Sequence, residues 1–357
     1  MTNKVQQNGK ARRRKAVKPR RVLVLIREGL EPPDDVSGLD EDGLKVAPWK
    51  TERDVIETLK QLGHIVQSVS VHDDLRVIRD VIDVFKPHVA FNLLEEFAGH
   101  VLFDQNVVTF LELLNVPYTG CNPRGLVLSR DKAVTKKLLS YHRIRVPAFT
   151  VFERGRRVKR PRGLEFPLFV KSVTEDASLA IAQASLVKDD EALAARVAFV
   201  HEHAQTAAMA EEFVDGRELY VGALGNQRLQ LLPVWELLFT NKPEGVPLIA
   251  TARAKWSASY QKKWGVISEA AQDLPEDVER VLGRQCKRIY RILGMSGYAR
   301  LDFRLREDGT LFFLEANANP QIARDEDFAQ AALTAGIEYP ELLERLLRLG
   351  MARRPWD

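Results

Sequence analysis

The chain has 357 residues, 45% of them hydrophobic and 29% charged, and at ~100–200 residues per domain it holds two or three packed domains. That excludes a short binding module and a disordered chain. The two cysteines, Cys121 and Cys286, are too few and too far apart for a disulfide framework or a thiolate metal centre.

The longest aliphatic run near the start, Val22 to Ile26, falls far short of the ~20 residues a membrane-spanning helix needs. With no basic-then-apolar leader before it, the sequence reads as a soluble, cytoplasmic protein. The formal net charge of +4 is unevenly placed. Nine cations and no acid fall within residues 1–21, which read as a disordered, solubilising basic tail with too little apolar surface to fold. A nucleic-acid-binding arm is the less favoured reading of the same charge. A second basic run, Arg154 to Arg162 around Pro161, reads as a solvated loop.

In chain order, Arg21 to Ile26 reads as a strand that ends at Gly29 and the turn-forming Pro32 to Asp35. Val55, Ile56, Leu59 and Leu62 recur at helical spacing and Gly63 stops that helix. Ile65 to Val71 alternates as a strand, Leu75 to Phe85 is helical, Val89 to Leu94 is a buried strand, and Val107 to Leu114 belongs to a third helix. This alternation predicts a parallel sheet with helices on its faces, ending near Gly120.

Ser129 is the expected cap of a helix running through Lys132 to Tyr141, and Pro147 opens an extended segment. Leu168 to Lys171 is a short strand, Leu193 to Val200 a helix, and Ala207 to Val214 a strand joined to a linker at Asp215-Gly216. Leu219 to Leu238 is strand-rich. Asn241 to Gly265, polar and containing Pro243, Gly245 and Pro247, has the composition of a long mobile loop and candidate lid. Pro275 opens a helix with an apolar stripe of Val278, Val281, Leu282, Ile289 and Leu293.

The most informative segment is Tyr298 to Pro320. Ala299, Leu301, Phe303 and Leu305 alternate with Arg300, Asp302, Arg304 and Arg306, so one face is apolar and the other charged. Asp308-Gly309 signals a tight hairpin. A symmetrical ribbon about that turn pairs Leu305 with Phe312, Phe303 with Leu314 and Leu301 with Ala316. It also sets Asp302 opposite Glu315 and Arg300 opposite Asn317. Two like charges ~4.5–5.5 Å apart destabilise a sheet, so protonation, a neighbouring cation or a divalent metal must compensate. Two carboxylates and an amide oxygen suit Mg²⁺ better than Zn²⁺, and Mg²⁺ held this way commonly completes its shell with nucleotide phosphates. A plain surface hairpin, its acids paired with Arg300 and Arg304, is the alternative.

Elsewhere, Lys132 near a helix start and Lys171 after an apolar strand suit anion binding. Ala208-Met209-Ala210 runs into the acids Glu211, Glu212, Asp215 and Glu218, able to accept from an amino group and a hydroxyl. Together these residues resemble the ATP-grasp superfamily and, within it, the D-alanine–D-alanine ligases. The resemblance rests on Phe91-Asn92-Leu93-Leu94, Leu111-Glu112-Leu113, Pro117-Tyr118-Thr119-Gly120, Ser129-Arg130-Asp131-Lys132 with Lys136, Phe169-Val170-Lys171, Glu211 to Glu218, Arg300-Leu301-Asp302 and Leu314 to Pro320. The motifs occur in family order and cover roughly residues 22 to 350.

What the resemblance implies is an α/β ATP-grasp fold. A Rossmann-like domain over residues 22–121 would precede two α+β lobes, 122–213 and 214–357, that enclose ATP. Lys132, Lys171 and Ser178 would hold phosphates, Glu211 and Glu212 would border the adenine, and Glu218 would reach the ribose. Asp302, Glu315 and Asn317 would bind two Mg²⁺ ions, with Mn²⁺ a substitute. Lys255 would sit near the γ-phosphate and Arg300 would stabilise developing negative charge. The implied reaction joins a small-molecule carboxylate donor to an amine acceptor through an acyl phosphate, and a homodimer is expected because the resembled ligases commonly form one.

The substrate regions depart from the family text. Arg27 to Pro33 replaces a glycine-rich stretch, leaving Glu28 or Glu31 to stand for the amine-binding acid. Glu95-Glu96 replaces a His-Gly, and Trp256 a tyrosine. Beyond Pro320 the chain offers Gln321 and then Arg324-Asp325-Glu326-Asp327, where Gln321 and Glu326 are candidate acceptor contacts. Those acids point to a cationic acceptor rather than D-alanine; acids opening a helix and facing water are the alternative. A true D-alanine–D-alanine ligase and a catalytically silent nucleotide-binding protein with a nucleic-acid-binding tail are the rival functions.

Overall fold

The computed structural model describes residues 18–174, 182–241, 249 and 257–353. The basic tail up to residue 17, Ser178, Lys255 and Trp256 lie outside the described residues. In chain order the elements are β1 (Arg21–Arg27), α1 (Glu41–Val46), α2 (Lys50–Gln61), β2 (Ile65–Val71), α3 (Arg76–Phe85), β3 (Val89–Asn92), α4 (Asp104–Leu113), α5 (Pro123–Arg130), α6 (Lys132–Tyr141), β4 (Phe149–Phe152), β5 (Leu168–Ser172), β6 (Leu186–Val187), α7 (Asp190–His203), β7 (Ala208–Glu212), β8 (Arg217–Leu224), β9 (Gln230–Leu231), β10 (Trp235–Phe239), α8 (Ala258–Trp264), β11 (Val266–Ala270), α9 (Glu276–Ile292), β12 (Tyr298–Leu305), β13 (Leu311–Ala318), α10 (Asp327–Thr334) and α11 (Tyr339–Ala352).

Three sheets organise the chain. The first is parallel, in the order β2-β1-β3, as the alternation of strands and helices requires. Its central strand is buried from Val22 to Ile26 and feeds a core shared with Ile78 of α3 and Val107, Val108 and Leu111 of α4. The second sheet, β4-β7-β5-β6, is antiparallel and is covered by α7, whose Leu193, Val197 and Val200 repeat at helical spacing on the buried face. The third, of six strands, runs β11-β10-β8-β12-β13 with β9 beside β8. Helix α9 packs on it through Val278, Leu282, Cys286 and Ile289, with Pro275 at its N-cap as the sequence predicts.

Three expectations are corrected. Ser129 does not open the helix that carries Lys132: it lies inside α5, and the cap of α6 is Asp131, whose carboxylate accepts from the Val134 N–H at 2.8 Å. A carboxylate accepts that bond more strongly than a hydroxyl, so the turn falls two residues later. The stretch Asn241 to Gly265 is not loop throughout, since Ala258–Trp264 forms α8, capped by Ser257 and closed by Gly265 at φ 57°.

The third correction lies in the β12–β13 ribbon. Arg300↔Asn317, Leu301↔Ala316 and Asp302↔Glu315 pair as expected, but a bulge after Asp302 shifts the rest, so that Phe303 faces Phe313 and Leu305 faces Leu311. The extra residue is Leu314. Its removal from the ladder lets Phe313 enter the core fully buried beside Phe303, their rings edge-on at 5.7 Å, while the Phe313 N–H donates to the Arg145 carbonyl at 2.9 Å. Leu314 is turned the other way, towards a cavity.

Phe313→Ala is expected to lower stability by about 3–5 kcal/mol, the usual consequence of emptying a buried aromatic site, as read from the denaturation midpoint at unchanged slope. Leu314→Ala, which leaves that core filled, is expected to lower it by less than about 1.5 kcal/mol.

Candidate active site

Strands of the second and third sheets converge on a cavity of ≈ 610 Å³. β5 contributes Phe169 and Lys171, β7 Glu211 and Glu212, β8 Glu218, β12 Asp302 and Arg304, and β13 Leu314 and Glu315. Six of the residues singled out by sequence therefore meet in one place, among apolar walls that include Pro147, Val214 and Ile249.

The buried electrostatic centre is a carboxylate held by two lysines. Glu211 Oε1 lies 2.7 Å from Lys171 Nζ, and Oε2 lies 3.0 Å from Lys136 Nζ. Burial raises the Glu211 pKa, but the two ammonium groups outweigh it and hold the carboxyl below its ordinary value. Burial drives the Lys136 ammonium down to about 8 despite Glu211; for Lys171 the same penalty is overcome by Glu211 and Glu315, and its pKa rises. Glu211, expected beside an adenine, thus has its charge committed to the lysines. Glu212, Phe213 and Val214 follow it along the cavity wall.

Lys136 was not among the predicted phosphate ligands. Its signal is the i, i+4 spacing from Lys132, which puts both on one face of α6. Lys132 itself is buried at the first position of α6, and its backbone N–H donates to the Val173 carbonyl at 3.1 Å, two residues beyond Lys171.

The charged face of β12 carries the second cluster. Arg300 grips Asp302 with both arms, Nε to Oδ1 at 2.8 Å and Nη2 to Oδ2 at 2.9 Å, and stacks on the Tyr220 ring at 4.6 Å. Asn317 Nδ2 donates to Asp302 Oδ2 at 3.0 Å. The neighbouring cation is therefore the solution adopted here to the repulsion between Asp302 and Glu315. Farther along, Arg304 Nη2 donates to Glu218 Oε2 at 2.5 Å and Tyr220 Oη to Glu218 Oε1 at 2.8 Å. Arg304 is a second residue missed by sequence, although it stands on the same alternating face as Arg300 and Asp302.

Among the described residues no group of three or more His, Cys, Asp or Glu comes together as a metal cluster. The available set is two carboxylates directly opposed across a ribbon, with one amide beside them. All donors are oxygen, and so few of them suits a hard divalent cation whose remaining positions go to water or phosphate.

A second cavity, of ≈ 1120 Å³, opens beyond the end of β13, with Gln321 on its wall. The predicted amine-binding acids are elsewhere. Glu28 is exposed, and Glu31 is exposed and folded back on Ser70 and the Gly29 N–H. Glu326 and Asp325 are paired with Lys50 at 2.7 and 3.2 Å, and Asp327 opens α10. The acids after Arg324 are thus largely spent on a lysine and a helix start, which removes the reason for assigning them a cationic acceptor.

A family model described as the D-ala D-ala ligase C-terminus matches residues 138–348. The chain belongs to the D-alanine–D-alanine ligase family. These are ATP-grasp ligases that form carbon–nitrogen bonds. Among relatives, an uncharacterized protein of Sinorhizobium fredii, y4sG, is 30% identical over 320 residues, spanning 86% of this chain and 90% of that protein. A D-alanine–D-alanine ligase of Nitratidesulfovibrio vulgaris is 30% identical over 315 residues, spanning 85% and 95%. Among solved structures, the D-alanine–D-alanine ligase of Bacillus anthracis complexed with ATP superposes with a TM-score of 0.69 at 20% identity, covering 93% of this chain and 97% of that one. A D-Ala:D-Ser ligase of Enterococcus faecalis, VanG, gives 0.67 at 18% identity, covering 93% and 100%. At those identities the likeness establishes the ATP-grasp fold, and the family matches carry the rest.

Glu211→Gln is expected to destabilise the protein by about 3–5 kcal/mol near neutral pH, because it leaves two buried ammonium groups without their counter-charge. A carboxylate whose folded pKa is depressed stabilises at pH above its unfolded value of 4.5 and loses that contribution as pH falls through the folded one. The gap between wild type and variant in a denaturant titration is therefore expected to narrow as pH falls below 4.5.

Proposed function

We propose that this family member is a carboxylate–amine ligase that activates its donor as an acyl phosphate with two divalent ions, Mg²⁺ by preference, in the cavity shared by the second and third sheets. The observation that carries this reading is the convergence of Lys171, Glu211, Glu218, Asp302 and Glu315 on one cavity.

The chemistry follows from what a carboxylate lacks. It is a poor electrophile, so its oxygen attacks the γ-phosphoryl group of ATP, releasing ADP; the amine then attacks the acyl carbon, phosphate leaves with the C–O electron pair, and an amide forms. Phosphoryl transfer of this kind depends on positioning and charge neutralisation rather than on a protein nucleophile. Lys171 and Lys132 are the phosphate-holding groups, with Lys136 and Glu211 fixing Lys171 in place. Glu218, clamped by Arg304 and Tyr220, is the acceptor for a ribose hydroxyl. Arg300, held by Asp302 and Tyr220, supplies positive charge beside the transferring group. Asp302, Glu315 and Asn317 would hold the ions, whose contribution is neutralisation of the phosphate oxygens.

A true D-alanine–D-alanine ligase is the second reading, favoured by curated relatives of that name that align over most of this chain. A silent nucleotide-binding protein is disfavoured by the intact set of Lys132, Lys171, Arg300, Asp302, Glu315 and Asn317.

Mg²⁺-dependent ADP release is expected only when an amino acid is added, with product mass equal to the joined substrates less water. Release without any amino acid, or none with a broad panel, overturns the ligase reading. Glu315→Gln is expected to lower the turnover rate by at least about a hundredfold at an unchanged melting temperature; full activity in that variant removes Glu315 from the site.

A further inference from the structure

Arg304 is a cation that the phosphoryl-transfer chemistry does not call for. It shares the charged face of β12 with Arg300 and Asp302, but whereas Arg306, two residues on, is exposed, Arg304 is only 5% exposed. A buried guanidinium carries a large desolvation penalty that close acceptors must offset. Two such acceptors are present, one for each terminal nitrogen: Nη1 donates to the Gly216 carbonyl at 2.8 Å and Nη2 to Glu218 Oε2 at 2.5 Å. The register sets Arg304 directly opposite Glu218 across β8 and β12.

Both acceptors follow the stretch that carries the chain from the second sheet to the third. The start of that stretch is tied to the second sheet, where the Glu212 N–H donates to the Ala148 carbonyl at 2.8 Å and the Phe213 N–H to the Pro167 carbonyl at 3.0 Å. Its end is tied to the third. Gly216, at φ 136°, runs so close to β12 that a Cβ would fall 2.1 Å from the Leu305 carbonyl oxygen, and Arg304 holds the carbonyl of the same glycine. Glu212, Phe213 and Val214, between these anchors, and Glu218, beyond them, line the first cavity.

Glu218 is thereby a fixed acceptor. One oxygen takes Arg304 and the other takes the Tyr220 hydroxyl at 2.8 Å. Tyr220 keeps its proton, because burial, and then the Glu218 charge, hold its pKa well above the ordinary value. A carboxylate has about four acceptor positions, so further donors can reach Glu218 from the cavity without displacing either partner.

Resting on the ligase reading, we propose that Arg304 is a positioning residue that makes the site selective for the ribose form of its nucleotide. By holding the Gly216 carbonyl and Glu218 at once, it fixes the sugar's acceptor relative to the segment that borders the base. A nucleotide seated against that segment presents its ribose hydroxyls to a carboxylate that cannot swing away, and a sugar lacking one of them leaves a desolvated acceptor unpaired. The planar fork serves both acceptors together, which a single ammonium group does not reproduce.

The test is calorimetric titration of ATP, 2′-deoxy-ATP and 3′-deoxy-ATP, with Mg²⁺, into wild type, Arg304→Met and Arg304→Lys. Wild type is expected to bind ATP at least about tenfold more tightly than one of the deoxynucleotides. Arg304→Met is expected to lose about tenfold in ATP affinity and less than about threefold for that deoxynucleotide, so the preference collapses. Arg304→Lys keeps the charge, covers the case in which Arg304→Met fails to fold, and is expected to lose most of the preference as well. A merely structural role weakens all three nucleotides together, so an equal loss in Arg304→Met, or an undiminished preference in Arg304→Lys, overturns the inference. Equal binding of the three nucleotides by a wild type that releases ADP when an amino acid is added also overturns it and leaves the ligase reading standing; a wild type that binds none of them overturns both.

Discussion

Much of this structure depends on three buried charges, the Lys136–Glu211–Lys171 bridge. Each of these groups carries a large desolvation penalty on its own, and each comes from a different element: α6, β7 and β5. The bridge therefore fixes the helix against the sheet. It also leaves one positive charge in excess at the cavity wall. The carboxylates of β8, β12 and β13 lie on the same cavity.

The β12–β13 ribbon solves an opposite problem. Asp302 and Glu315 face each other because Leu301 and Ala316 must share the apolar face, and core packing thus forces two acids together. Arg300 and Asn317 take up the resulting strain on the Asp302 side. The same pair of strands is bulged one residue later, which separates Phe313, needed by the core, from Leu314, which lines the cavity between the second and third sheets. Packing and function use alternate residues of one strand, and the bulge keeps both sets satisfied.

How much of this the sequence revealed varied with the physics behind each feature. Alternation in Tyr298 to Leu305 and the Asp308-Gly309 turn predict the Asp302–Glu315 pair but miss its neighbours nearer the turn, where Leu305 faces Leu311 rather than Phe312 and the bulge at Leu314 restores the expected register. The bulge was invisible, since it arises from the Phe313 N–H bonding to Arg145, a partner far away in the chain. The burial of Glu211 between two lysines was likewise hidden: a strand ending in acids reads as solvated until its neighbours are known. Asp131 displaced Ser129 as a cap for a local reason, and both are good caps by propensity, so only the chain's actual turn decided between them. The acids at Asp325 and Glu326 misled because Lys50, which neutralises them, lies on α2, far away in the chain.

Asn319 closes the account of the ribbon. It adopts φ 56°, and its side-chain oxygen accepts from the Cys121 N–H at 2.7 Å, so the strand that ends with Asn317 and Ala318 is turned sharply and tied to the connector after the parallel sheet. Gln321 follows almost at once on the wall of the other cavity. Glu315 on the first cavity and Gln321 on the second stand only a short stretch of backbone apart, so this tie sets how the two cavities are placed against each other.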